Sequence, residues 1–284
     1  MRYRYLAIAL CAALLAGRAA AAEPDRVDLD YKIYLGGLAV LELHNEARIA
    51  ADSYRIDTDM RTRGLLDLLS PFGYEIVSEG RRGPDGLQPA LYREQKLKGE
   101  RKKRLTEVTY AADGKPSWDV TPARDPDPDR VPPTAEQAAG TLDPVSGILL
   151  QGWKPDGDAV CGRTLHIFDG AKRYDLVFES LGEERIGETR YSVWDGMARK
   201  CRVRMDYIAG FERAEDGSWE DPAEPFTIWL GRLGPDGGYV PVRADIDSDW
   251  GRLTMHLTGY ELNGHRTQTA AEPPQPAPGR ADWE

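Results

Sequence analysis

Histidine and cysteine are scarce in this chain, with four and three among 284 residues. Transition-metal sites and activated nucleophiles draw heavily on these residue types. His44, His166, His256 and His265 form no HExxH pair, the spacing that sets two ligands on one helical face. Ser146 lies in Asp143-Pro144-Val145-Ser146-Gly147, which lacks the first glycine of a nucleophile elbow. There is no glycine-rich phosphate loop. Beyond residue 22 no apolar run is long enough to cross a bilayer as a helix. Basic residues are in deficit, 37 against 47 acidic, and the formal net charge of −10 disfavours nonspecific nucleic-acid binding. The sequence therefore assigns no catalytic residue, cofactor site, metal ligand or nucleic-acid partner.

What is present begins with an export signal. Arg2 and Arg4 precede an apolar run from Tyr5 to Leu15, and Gly17-Arg18-Ala19-Ala20-Ala21-Ala22 follows as a small-residue cleavage segment. Residues 1–22 are expected to be removed as a signal peptide. Losing Arg2, Arg4 and Arg18 takes the net charge from −10 to −13 and leaves 262 of the 284 residues. It also removes Cys11, so only Cys161 and Cys201 remain. In an oxidising compartment an even, minimal cysteine count predicts one structural disulfide. Closing that forty-residue loop stabilises a fold by about 4 kcal/mol on the chain-entropy estimate.

Hydrophobic periodicity is close to two along most of the chain. Tyr54, Ile56, Thr58 and Met60 share one parity and Arg55, Asp57, Asp59 and Arg61 the other, as in a half-buried strand. Residues 31–43 would reach about 43 Å as one strand. One long strand, or two joined by a bend, is predicted, with Gly36-Gly37 as the bend or bulge. Residues 38–41 are apolar on both parities, which predicts a cover over their outer face. Residues 91–98 and 104–110 read as an antiparallel pair around the tip Arg101-Lys102-Lys103-Arg104. That tip is either a solvated hairpin end or a phosphate or lipid-headgroup contact. Residues 120–133 hold five prolines and three aspartates and read as a surface loop. Short helices are predicted at 135–139 and 143–151, the second capped by Asp143 with Pro144 in its first turn. Asp169-Gly170, Asp195-Gly196, Asp216-Gly217, Asp236-Gly237 and Asn263-Gly264 mark tight reversals. The predicted class is mainly β: a strongly curved antiparallel sheet or partly open β-barrel with a few short helices. Residues 23–269 form one such domain, with a loop insertion near 120–133, and 270–284 form a disordered proline-rich tail.

Candidate binding residues are apolar. Four leucines fall in residues 65–69, and Leu65, Leu68 and Leu69 share a helical face. They form either a plug at one end of the sheet or a lid over an apolar cavity. Trp194 and Trp229 fall on apparent strands, packing a core or lining a cavity for an apolar or glycan ligand. Asp245, Asp247 and Asp249 alternate beside Trp250. A solvated acidic loop, a calcium site and the acid–base pair of a glycosidase all stay open. The histidines are expected at the surface or in ordinary hydrogen bonds, with His256 on the polar side of its strand.

Several ordered blocks resemble the DUF3108 family of exported bacterial proteins. They are Tyr31-Lys32-Ile33-Tyr34-Leu35-Gly36-Gly37-Leu38, Arg61-Thr62-Arg63-Gly64-Leu65, Asp143-Pro144-Val145-Ser146, and Phe168-Asp169-Gly170-Ala171-Lys172-Arg173-Tyr174-Asp175-Leu176. The resemblance spans roughly residues 28 to 260 and implies a periplasmic location without assigning an activity. The architecture is similar, more loosely, to periplasmic lipoprotein carriers, whose curved sheet wraps an apolar cavity. The expected function is noncatalytic binding of an apolar or amphipathic envelope molecule such as a lipid. The alternatives are a structural or protein-interaction component of the envelope, with an envelope protein as partner, and a glycan or lipid hydrolase.

Overall fold

The computed structural model describes residues 24–83, 86–99, 103–123, 127, 129–150, 160–234 and 237–267. The expected signal and tail lie outside the described residues, as do Arg101, Lys102, Trp153 and Trp283. The first half is a meander of β1 (Asp25–Leu35), β2 (Leu38–Ile49), β3 (Ser53–Thr62), β4 (Gly73–Gly83), β5 (Gly86–Lys98), β6 (Leu105–Tyr110) and β7 (Pro116–Thr121), with helix α1 (Gly64–Leu69) between β3 and β4. Helices α2 (Ala135–Ala138) and α3 (Pro144–Leu150) follow. The second meander is β8 (Thr164–Phe168), β9 (Arg173–Ile186), β10 (Gly196–Ala209), β11 (Phe226–Arg232), β12 (Tyr239–Ser248) and β13 (Gly251–Leu262), with β14 (His265–Thr267) closing the described chain.

All fourteen strands join one antiparallel sheet in the order β7-β6-β5-β4-β3-β2-β1-β13-β12-β11-β10-β9-β8, with β14 paired to β13. The two meanders meet where β1 pairs with β13, Val27 opposite Leu262 and Leu35 opposite Leu253. The sheet curls until its two edges approach. Trp118 on β7 meets Phe168 on β8 edge-on, ring centroids 4.9 Å apart. The outer edge of β8 is taken by Leu142, whose N–H donates to His166 O and whose carbonyl accepts from the Phe168 N–H. That contact covers an otherwise unpaired strand edge. The sheet is strongly curved and barrel-like without closing.

Residues 31–43 are neither one strand nor two joined by a bend. Gly36 and Gly37 sit at φ +57° and +87° and reverse the chain into a two-residue hairpin, which needs positive φ at both positions. A register shift between Ile33 and Tyr34 changes which parity is buried, and this made two strands look continuous. The capped helix is as expected: the Asp143 carboxylate accepts from the Val145 and Ser146 N–H groups at 3.0 and 2.9 Å.

Helix α3 fills the interior. It packs against β4, β8 and β12, strands from both meanders. Leu149 and Leu150 join the cluster of Val27, Leu29, Ile56 and Val242. Ile148 meets the cluster around Cys201 and Phe178, and Val145 the one around Tyr92 and Phe168. Three apolar clusters thus converge on seven residues. The sequence offered α1 as either a plug or a lid; among the described residues α3 is the helix that fills the interior.

Candidate functional site

Antiparallel register fixes which turns share an end of the sheet. Leu35 pairs with both Leu38 and Leu253, and Gly73 pairs with both Arg61 and Lys98. The β1–β2, β5–β6 and β12–β13 turns therefore lie at one end with α1. Large apolar side chains stand out of it: Leu38 is 48% exposed, Leu68 80%, Leu69 75%, Leu97 43% and Trp250 87%. Exposed apolar residues are ordinary when scattered; grouped on adjacent elements they mark a contact surface.

Polar bonds hold α1 in this pose. The Arg63 N–H donates to Val40 O. Thr62 Oγ1 donates to Asp67 Oδ1 at 2.6 Å, and Lys98 Nζ lies 3.3 Å from the same oxygen. These donors, Thr62 first, hold the Asp67 carboxyl below the usual carboxylate range. Asp67 is thereby tied to the sheet while Leu68 and Leu69 face solvent. The side chain of Leu65 lies outside the described residues.

Trp194 and Trp229 are buried at 7% and 4% exposure and belong to the main core. Trp229 sits on β11, its Nε1–H donating to Glu184. Trp194 is on no strand, contrary to the sequence reading; it lies on the 187–195 connection and packs flat on Gly231, where any Cβ would fall 2.4 Å from the ring. The five residues expected at a cavity or lid thus divide, with Leu68 and Leu69 out in solvent and both tryptophans packed inside.

Cys161 and Cys201 form the expected disulfide, with Cα atoms 5.7 Å apart. The acidic run beside Trp250 holds ion pairs: Asp245 with Arg243 at 2.7 Å and Asp247 with Arg252 at 2.9 Å. Among the described residues no group of three His, Cys, Asp or Glu is placed to hold a metal ion. His44 pairs with Asp30 and His166 with Asp175. An open cleft of about 280 Å³ lies along the outer side of β1–β3 and is lined by Asp30, Lys32, Glu42, His44, Asp59 and Arg61. Tyr31, Leu43 and Thr258 complete its lining.

His256, expected on the polar side of its strand in a surface or hydrogen-bonding role, packs among aromatic rings. Tyr191, on the same 187–195 connection, stacks on it with centroids 5.9 Å apart, and Tyr34 meets it edge-on at the same distance. Tyr191 also lies close to Gly37 in the β1–β2 turn, while Leu38 beside it stays exposed. No periodic signal in 187–195 announces that crossing. Burial, then Arg243, push the His256 imidazole down to about 4, against a smaller opposing pull from Asp245. The unfolded imidazole therefore binds its proton more readily than the folded one. Stability from this group is fully present above about pH 6.5 and is lost as pH falls toward 4. Between pH 7 and 5, His256→Gln is expected to lose about 1–2 kcal/mol less than the wild type, allowing for solvent screening. Urea midpoints at the two pH values measure this; equal losses would refute it.

One buried polar cluster escaped the sequence reading. Asp143 is fully buried. Besides the two cap bonds it accepts from Ser146 Oγ at 2.5 Å and from Ser78 Oγ on β4 at 2.8 Å. The Tyr54 hydroxyl lies beside Ser146 and Ser78, and the Tyr110 hydroxyl beside Thr141. The signal available in sequence was the cap itself; the β4 partner is 65 residues away. The four histidines lie elsewhere, so none is placed to activate Ser146.

Comparison with known proteins agrees with this architecture. A crystal structure titled as a beta-barrel-like protein of domain of unknown function DUF1849 from Brucella abortus aligns with a TM-score of 0.50 at 13% identity, covering 84% of this chain and 98% of that one. At such identity the likeness is one of fold alone. Among curated proteins no sequence matches. The family model described as protein of unknown function (DUF3108) matches residues 30–258. The chain belongs to the DUF3108 family.

Proposed function

We propose that this chain is a noncatalytic protein of the periplasm that binds an amphipathic molecule of the cell envelope through its apolar rim. The observation that carries the reading is the exposure of Leu68 and Leu69 on a helix held in place by polar bonds. Burying each leucine side chain is worth about 1.5–3 kcal/mol, and the fold leaves that gain unused. The described interior is occupied by α3, which supports a contact at the rim rather than in an enclosed cavity. The same filled interior favours a second reading, a structural or protein-interaction component whose rim meets another envelope protein.

A single-chain lysophospholipid, kept below its micelle concentration, separates the two by native mass spectrometry. The lipid-binding reading expects a one-to-one adduct whose affinity drops at least tenfold in Leu68→Ser/Leu69→Ser. A protein that stays ligand-free across the titration would leave only the second reading.

A further inference from the structure

We infer that the curled sheet opens at the rim as an apolar mouth above α3, and that the acyl chain of the bound amphipath enters it while the polar head stays outside. This rests on the lipid-binding reading above. It names the part of the ligand that is held and the inner-face residues that hold it.

Burial along the strands is the first argument. Asn45 on β2, Thr58 on β3, Val203 on β10, Ala244 on β12 and Leu257 on β13 are buried on the inner face. Two residues nearer the rim, on the same strands and the same face, stand Leu43, Met60, Met205, Ile246 and Met255, and each is only half-buried. Leu35 pairs with Leu38 and Leu253 at the lip, where Leu38 is exposed. The change recurs on strands of both meanders, so it marks an opening of the interior rather than a local irregularity. Helix α3 lies deeper, in the cluster of Val27, Ile56 and Val242. From Leu35 at the lip to the buried Tyr31 is about 13 Å of strand.

Two features select an aliphatic occupant. The strands that carry these residues lie inside the sheet, each with a hydrogen-bonded neighbour on both sides. The mouth therefore presents side chains and no free strand edge. A peptide or glycan entering it would leave its own polar groups without partners, at a cost that an acyl chain does not meet. The second feature is methionine. Beyond residue 22 it occurs as Met60, Met197, Met205 and Met255, and three of these four face the mouth. An unbranched thioether repacks around ligands of different shape, which suits chains of differing length. The floor is polar: Thr58 Oγ1 donates to Asn45 Oδ1 at 2.7 Å, and this buried pair limits how far a chain penetrates. Leu68 and Leu69 stand at the same end, placed to cover the methylenes next to the head.

The test uses the exported protein carrying 13C-labelled methionine methyls, assigned by single Met→Leu variants. It is titrated with lysophosphatidylcholine, below its micelle concentration, bearing a nitroxide at mid-chain. The Met60, Met205 and Met255 methyls should broaden, while Met197, 51% exposed near the other end of β10, should not. Met60→Trp/Met255→Trp fills the mouth and should weaken the adduct roughly tenfold while keeping the wild-type urea midpoint. The broadening is read on the wild type, so a variant that fails to fold leaves the inference open to refutation. An adduct that broadens none of the three methyls would overturn the mouth and leave lipid binding standing on the outer leucines. Methyl shifts that follow protein concentration without lipid would put a second copy there and also overturn it. Absence of any adduct would remove both readings.

Discussion

Replacing Asp143 with alanine is expected to lower the free energy of unfolding by about 3–5 kcal/mol. The substitution strands two hydroxyls and two N–H groups in the interior and removes the cap of α3. Each unsatisfied buried polar group costs about 1–3 kcal/mol and the lost cap about 1, with some recovery as the hydroxyls rotate. Because α3 joins three apolar clusters, the damage should spread to both meanders. Asp143→Asn should be milder, since its oxygen can keep the N–H bonds and its amide can donate to Ser78 or Ser146. The pH behaviour separates the two contributions. Burial raises the Asp143 carboxyl above its ordinary value, opposed by its hydrogen bonds, chiefly those from Ser146 and Ser78. A carboxyl raised in the folded state stabilises most below its unfolded value of about 3.9 and loses that contribution as pH climbs toward the folded value. This slope opposes that of His256, and Asp143→Asn should abolish it. Denaturant unfolding followed by near-ultraviolet dichroism provides the measurement. A cost below about 1 kcal/mol for the alanine variant would mean that water replaces the carboxylate and that the cluster is wet.

Removing the disulfide should cost about 4 kcal/mol on the loop-entropy estimate. Cys161→Ser/Cys201→Ser retains the volume of both side chains closely, so most of the loss should lie in the unfolded chain. Cys201 is fully buried beside Val203, Ile228 and Leu230, and reductant should reach the bridge only after that region opens. Gly162 and Arg163 are already bonded to Phe178, so the folded double-serine protein should keep its strand register. Equilibrium unfolding of the double variant and alkylation of the wild type under native reductant measure the two effects. A change below about 1 kcal/mol would show that the 161–201 loop is already constrained when the chain unfolds.

How much of this was legible depended on whether the determining contact was local. Tyr54, Ile56 and Thr58 alternate and are buried, because a sheet with one wet face imposes period two. The cap of α3 and the Asn263-Gly264 hairpin were readable for the same reason, since each is decided within four residues. The cysteine pairing followed from counting. Failures occurred where a distant segment intervened. The parity of β1 changes at a register shift that no single strand announces. His256 read as the polar side of its strand until Tyr191 crossed over it, and Trp194, on no strand, packs against Gly231 of β11. The leucines of α1 have the composition of a buried helix; Thr62 and Lys98, binding Asp67, turn them outward. The rim was therefore visible as residues and hidden as a surface.

The pairing of β1 with β13 governs how the molecule is made. Val27 waits for Leu262, 235 positions later in the chain, so the first meander emerges with a long side of unpaired amides and carbonyls. Contacts of such range slow folding and prolong exposure to wrong partners. Synthesis and delivery of the final quarter, more than any local step, set the moment at which this protein stops being adhesive.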